Sequence, residues 1–470
     1  MKRLNIFLVT LASASGAFAT EVAVSPGQLD QLIKGGSLNA ESSLKLSGHI
    51  DARDLAALEN IPPSIKALDL SGVTIDGLMV SSREYFGRTL FKEGEIPPYT
   101  FFNSKLVSLT LPAKISDIGE GAFAASSLKS IVIPEGVAKI DNYAFYGCPD
   151  LTEVALPTSL QEIGKGAFGN CLSLKSVDLS STGVTEIPEK AFAGALQLES
   201  VTLPPSLTKV GREAFSHTKI TTLNLSGVKE YEPFALSGMT FLENLTIDPT
   251  AKIPAGLLMD NVSLASLQGS PNDIPDYFAA NCSSLDAQLT VANAETMGRY
   301  AFANNPSELL ILPRGLASLD RGVISGMNLL KKIDASSLEG NIPAVDDTTF
   351  EGITQSGIEL YVTDKDYSAW VSHPVWGLFI VTSDTHTDVN TIEAAREDIS
   401  IRLAGRFIVV DAPDAITDIR IYSTDGRTLY SGRPGETHFE YSTDNLPKGV
   451  VILVAADASG NSKNASILIN

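Results

Sequence analysis

A segment of about 23 residues returns along most of this chain, and nothing else in the sequence constrains its fold as strongly. LKSIVIPEGVAKIDNYAFYGCPD begins at Leu128, and LTEVALPTSLQEIGKGAFGNCLS begins at Leu151. Close copies start at Leu106 and Leu198. Degenerate ones start near Leu174, Ile220, Leu242, Leu264, Asp286, Ser307 and Leu330. The earliest copy starts at Ile65 and carries an insertion at 77–95. About twelve repeats of 22–23 residues therefore run from 65 to 383. Their common pattern is L-x-x-[VIL]-x-[LI]-P, an apolar residue, then I-[GDP]-x-x-A-F.

The pattern translates into local structure. The [VIL]-x-[LI] triplet alternates with period two, which predicts a short strand. The following proline (Pro112, Pro134, Pro157, Pro204, Pro313) has no N–H for a ladder and marks the strand's end. The compact x-x-A-F stretch is read as a short helical turn. In the Leu151 copy, Leu151, Val154, Leu156, Leu160, Ile163, Ala167, Phe168 and Cys171 form the expected inward set. One such unit cannot bury these side chains alone, so neighbours must stack on it and share one core. Each repeat then adds one strand, about 4.8 Å of stack.

The leaders and the pairs Ala122-Phe123, Ala144-Phe145, Ala167-Phe168, Ala191-Phe192, Ala214-Phe215 and Ala301-Phe302 resemble the BspA-type leucine-rich repeat family of bacterial surface proteins. The copies at 242–285 depart from it, with Gly256-Leu257-Leu258 and Asp276-Tyr277-Phe278 replacing the A-F element. The resemblance implies an α/β leucine-rich-repeat solenoid, one short strand plus a helical turn per repeat. It also implies a secreted or surface-exposed binding protein, adhesin-like, that recognises a protein or extracellular-matrix partner. A periplasmic or surface scaffold is the alternative, and an enzyme ranks below both.

Arrays need covered ends. Residues 20–64 are read as the N-terminal cap, and 358–383, which holds Trp370 and Trp376, as the C-terminal one. A polar linker at 384–398 follows. Then IRLAGRFIVV, ITDIRIYS, THFEYS, VVILVAA and ASILIN give five strand candidates within 399–470, with Asp425-Gly426 as a hairpin turn. This predicts a small all-β, sandwich-like C-terminal domain. Its run from Asp418 to Asn470 resembles the C-terminal sorting domain of the Por (type IX) secretion pathway, departing from it at Val451 and Ala465-Ser466. A sorting signal and a plain structural module both remain open.

Residues 1–19 read as a signal peptide. Lys2 and Arg3 precede the apolar Leu4–Ala12, and Ala17-Phe18-Ala19 is a cleavage site. That apolar run is too short to span a bilayer, and no later stretch is long enough. The formal net charge of −20 argues against nucleic-acid partners, which need clustered cations. Three cysteines make neither a disulfide framework nor a zinc site. Cys148, Cys171 and Cys282 share one place after the A-F element, held elsewhere by Ser126, Ala195, Thr218 or Asn305. The expectation is a buried ladder of small side chains, with Cys148 and Cys171 as packed thiols or a disulfide.

No catalytic, cofactor or metal motif is present, and His49, His217, His373, His386 and His438 are dispersed. Asp346-Asp347 and Asp364-x-Asp366 are read as solvated acids. The candidate partner-binding residues lie on the outward strand row, Thr110, Asp178, Thr202, Asn224, Thr246, Gln268 and Thr290, and in the insertion, Tyr85, Phe86 and Phe91. The strand row is polar and without aromatics, which disfavours glycan binding on that face.

Overall fold

The computed structural model describes residues 21–385 and 399–469, apart from 37, 39–41, 83–84, 88, 270, 288–290, 292, 405, 413 and 459–461. The expected signal peptide and nearly all of the expected linker lie outside the described residues. The chain divides into two compact units, Met1–Gly269 and Ser270–Asn470.

Coils build both units, and the expected strand forms in the coils whose strand residues are described; that of the Asp286 copy falls on 288–290, outside the described residues. In the first unit these strands include Ser108–Thr110, Ser130–Val132, Glu153–Ala155, Ser176–Asp178, Ser200–Thr202, Thr222–Leu225, Asn244–Ile247 and Ser266–Gln268. Neighbours pair in parallel with like positions opposed, as in Glu153↔Ser130 and Val154↔Ile131. Period-two alternation buries Val154 while Glu153 faces water. A second strand of two residues, which the sequence pattern did not suggest, follows in most coils, for example Asp117–Ile118, Lys139–Ile140 and Glu162–Ile163. These strands also pair in parallel, and the isoleucine of each points inward.

The A-F stretch is not helical, and the α/β description is corrected to a β-solenoid with little helix. Two residues of each turn are left-handed, one before the A-F pair and one two beyond it: Tyr143 and Gly147, Gly166 and Asn170, Lys190 and Gly194. A helix cannot contain them. The hydrogen bonds give the reason. Alternate N–H groups donate across to the next coil, Tyr143 to Lys165 at 2.8 Å, Phe145 to Ala167 at 2.8 Å and Gly147 to Gly169 at 2.8 Å. The intervening ones close four-residue turns, Ala144 to Asp141 and Tyr146 to Tyr143. Half the backbone thus bonds along the stack, whereas a helix would satisfy itself within one coil.

The core follows from this backbone. Phe101, Phe123, Phe145, Phe168, Phe192 and Phe215 form a buried column of parallel rings, with centroids 4.9 to 5.7 Å apart and planes within 11°. Of the inward set expected for the Leu151 copy, all are buried except Leu156, which is half-buried. The glycine of I-G is a spacing device. A Cβ on Gly164 would lie 2.3 Å from the Asn142 nitrogen of the preceding coil, and one on Gly211 would lie 2.5 Å from that of Glu189.

At the start, Glu21–Val24, Ser43–Ile50 and Ala67–Ile75 join Ser108–Thr110 in one parallel sheet. Helices Leu29–Lys34 and Ala52–Ala57 follow the first two strands. Asp51 caps the second helix, and buried Asp54 accepts N–H bonds from Gly27 at 2.7 Å, Leu29 at 2.9 Å and Asp51 at 3.0 Å. In the second unit, Trp370 and Trp376 are buried together with Phe350 and Phe379, and the Trp376 indole donates to the Pro343 carbonyl at 3.2 Å. Beyond 399 the described residues form seven strands rather than five. One antiparallel sheet is formed by Ser400–Ala404, Phe407–Asp411 and His438–Ser442. The other is formed by Thr428–Gly432, Ile416–Ser423, Gly449–Asp457 and Ser462–Ile469. The stretch taken as one strand, IRLAGRFIVV, folds back on itself, and Thr428–Gly432 was not anticipated. Ile408, Val410, Ile419, Ile421, Val451 and Leu453 share one core between the sheets.

Candidate partner-binding surface

The outward positions of the first strands line up because the ladders are in register. Asp178 lies opposite Thr202, and Asn224, Thr246 and Gln268 stand side by side. Thr110, Asp178, Thr202, Asn224 and Gln268 are exposed and Thr246 is half-exposed. The Thr246 hydroxyl reaches Gln268 Oε1 at 3.4 Å. Thr290 lies outside the described residues.

Two of these candidates have a local duty. Asp178 Oδ1 accepts the Ser180 N–H at 2.9 Å, and Asn224 Oδ1 accepts that of Ser226 at 3.0 Å. Asp69, Asp248 and Asp334 do the same for Ser71, Thr250 and Ser336. In the coils of Asp69, Asp178, Asn224 and Asp334 no proline directly follows the strand, and there the acid or amide closes the turn; Asp248 does so just ahead of Pro249. Thr110, Thr202, Thr246 and Gln268 carry no such turn.

The insertion aromatics divide as well. Phe91 is buried and packs edge-to-face on Phe86, with centroids 6.0 Å apart. As a contact residue Phe91 is therefore corrected: the insertion folds into a small hairpin, Leu78–Met79 with Leu90–Phe91, and Phe91 anchors it. Tyr85 and Phe86 are half-buried. Phe102 is exposed, whereas its neighbour Phe101 is buried.

The acids and histidines do not converge. Asp346 accepts from the Thr348 N–H and hydroxyl, and Asp364 from Ser383 and Thr385. His49 pairs with Asp76 at 3.0 Å, and His438 with Asp411. Among the described residues, no group of three metal-ligating side chains is assembled, and no helix is long and apolar enough to cross a membrane.

The cysteines are free and buried, and the small-side-chain ladder has a polar purpose. Cys148 Sγ donates to the Phe123 carbonyl at 3.0 Å, Cys171 Sγ to that of Phe145 at 3.1 Å, and Asn261 Nδ2 to that of Leu236 at 2.9 Å. Each side chain satisfies a buried carbonyl one coil back. Hydrogen bonding with Cys148 and burial hold the Cys171 thiol well above its ordinary value.

Two surface features escaped the sequence reading. The second strands carry an ion-pair ladder between coils, with Lys139 to Glu162 at 3.0 Å and Lys209 to Glu186 at 2.9 Å and to Glu232 at 3.1 Å. Hydrogen bonds that it donates to the Glu186 and Glu232 carboxylates raise the Lys209 ammonium above its usual value. Hydrogen bonds from Lys229 and Thr250 draw Asp248 down to about 2. The other feature is an alternation at the left-handed residue before the A-F pair. Tyr99, Tyr143, Phe234 and Tyr300 are each followed one coil later by Gly121, Gly166, Gly256 and Gly322, where a Cβ would lie 2.3–2.7 Å from the ring. The glycine makes room for the aromatic of the coil before it. The signal is visible in the sequence once the copies are aligned on that residue.

Comparison with known proteins decides the family. The BspA type leucine rich repeat region matches in six copies, over 94–194, 163–286 and 258–362, more than half of the chain. The chain belongs to the BspA-type leucine-rich repeat family. Among solved structures, this BspA-type chain is similar to a leucine-rich repeat protein from Bacteroides ovatus, at 20% identity and a TM-score of 0.54, covering 77% of this chain and 87% of that one. It is also similar to a leucine rich cell surface protein from Faecalibacterium prausnitzii, at 22% identity, 68% and 86% coverage and a TM-score of 0.41. A third is a leucine rich repeat protein from T. pallidum, at 21% identity, 48% and 79% coverage and a TM-score of 0.25. The first of these supports the solenoid fold. No curated protein matches the sequence at a significant level. Membership of this family of repeat proteins favours binding over catalysis.

Proposed function

We propose that the chain is a non-catalytic binding protein of the bacterial surface, recognising a protein or extracellular-matrix partner through its strand face. The observation that carries the reading is the registered polar row. In the first unit, hydroxyl and amide groups at Thr202, and at Thr246 and Gln268 side by side, stand on parallel ladders, free of strand-exit duties. Many weak contacts along such a face add up. In this reading residues 1–19 direct export, 20–64 and 358–383 close the array of 65–383, and 384–398 joins it to the β module of 399–470, which serves as a sorting signal or a spacer. Tyr85 and Phe86 of the insertion are further candidates for the contact.

Protease shaving of intact cells, with peptides identified by mass spectrometry, tests the location. Release of peptides from 65–383 while periplasmic markers stay intact supports a surface binder. Protection until the outer membrane is broken overturns that reading in favour of a periplasmic scaffold. Binding is tested with immobilised matrix proteins: replacing Thr202, Thr246 and Gln268 together by Lys abolishes retention if the strand face is the contact.

A further inference from the structure

The turn face of the first unit carries exposed aromatic side chains that the core does not need. Tyr99 and Phe102 are 52% and 55% exposed, and Tyr143 and Tyr146 are 37% and 41% exposed. Each pair meets edge-to-face, with centroids 6.2 Å and 5.6 Å apart. The pairs lie on alternate coils. The coil between them presents Gly121 and Ala124, and the coil after them Gly166 and Gly169, against which the Tyr143 and Tyr146 rings rest. The surface is thus two ledges of paired rings, with Tyr99 lying over Gly121 of the following coil as Tyr143 lies over Gly166. With coils about 5 Å apart, the two ledges repeat at about 10 Å.

Polar groups are fixed beside the rings. Tyr99 donates its hydroxyl to Glu120 at 2.7 Å. The Asn170 amide donates to the Tyr146 hydroxyl at 2.6 Å. Asn103 and Lys105 are joined at 2.9 Å and exposed next to Phe102.

We propose that this face binds a neutral, extended, β-1,4-linked glycan. Such a chain turns over at each sugar, advances by about one coil per sugar, and presents the same apolar face at every second one. Its period therefore matches the two-coil period of the ledges. The rings take the C–H faces, and the flanking carboxylate, amide and hydroxyl groups take the ring hydroxyls. A chain of net charge −20 disfavours an anionic polysaccharide, which selects the neutral class. The site is separate from the strand row and stands or falls independently of the partner proposed for it.

The test is calorimetric titration of the full chain with cellohexaose and with chitohexaose. One of them binds, and Phe102→Ala and Tyr146→Ala each weaken it about tenfold, the scale of one aromatic contact. Lys331→Ala, an exposed change in the second unit, leaves it unaltered. Both ring variants are exposed and keep the wild-type melting curve; if Tyr146→Ala does not fold, Phe102→Ala decides alone. Failure of both oligosaccharides to bind overturns the proposal. So does binding indifferent to the two ring variants. Ring-dependent binding of a proline-rich peptide in place of either sugar would identify a peptide site instead.

Discussion

The turns at Phe123 to Phe215 and the turn at Asp276–Cys282 have one backbone and different side-chain arrangements. In the first group, alanine precedes phenylalanine and the rings stack in parallel. In the second, Phe278 holds the alanine place and Ala279 the phenylalanine place, since it is the Ala279 N–H that donates to the next coil's Ala301 carbonyl at 2.8 Å. Both turns keep the left-handed pair, here Tyr277 and Asn281. Phe278 then meets Phe302 edge-on, at 6.3 Å and 75°, instead of stacking. The coil is therefore defined by its inter-coil hydrogen bonds and left-handed residues. The phenylalanine column adds packing to a path the backbone has already taken.

If that ranking is right, an attack on coil spacing outweighs any attack on the column. Gly164→Val forces a Cβ against the Asn142 backbone, with no flexible side chain to yield. A loss above about 4 kcal/mol is expected, read as the loss of the cooperative transition in urea. Phe168→Ala should cost about 3–5 kcal/mol, the usual price of an emptied core site. A larger loss for Phe168→Ala than for Gly164→Val would refute the ranking.

The swap itself offers a sharper test. Phe278→Ala and Ala279→Phe are each expected to destabilise, by a cavity and by overpacking. Together they should restore a stacked column with Phe302, so the double variant should recover most of the loss. Additive losses in the double-mutant cycle would mean that the column is not transferable between coils. Asn261→Ala leaves the Leu236 carbonyl and the Met239 N–H without their partners and should cost about 1–3 kcal/mol. Asn261→Ser should recover part of it.

The smallest effect concerns charge. Asp248 titrates in the folded chain at about 2, below its ordinary 3.8. A depressed carboxylate contributes stability that is present above its unfolded value and lost as pH falls through the folded one. The melting temperature should therefore fall as the pH drops from 3.8 towards 2, and less steeply in Asp248→Asn. The pair with Lys229 is exposed on the lysine side, so the difference should be a small part of the total.

The sequence made the strand half of each coil legible, because period-two alternation and the closing proline have local causes. Leu128, Ile131, Val137 and Ile140 are buried as their spacing demands. The A-F half was misread as helix because local sequence does not say which carbonyl an N–H will find. Left-handed Tyr143 and Lys190 are poor advertisements for such a conformation, and they adopt it because the next coil supplies acceptors at the right height. The polar strand row was readable from alternation, but the turn duty of Asp178 and Asn224 was not, nor was the burial of Phe91 in its hairpin.

By itself, the sequence determined that the chain stacks, since a 23-residue unit with eight inward apolar positions has no other way to remove them from water. It also determined which residues line the strand face. Tertiary structure decided the path of the turns, the spacing that only glycine permits at 164 and 211, and the aromatic ledges at 99–102 and 143–146. Each of these depends on atoms one coil away, about 23 residues along the chain, where no local preference reaches.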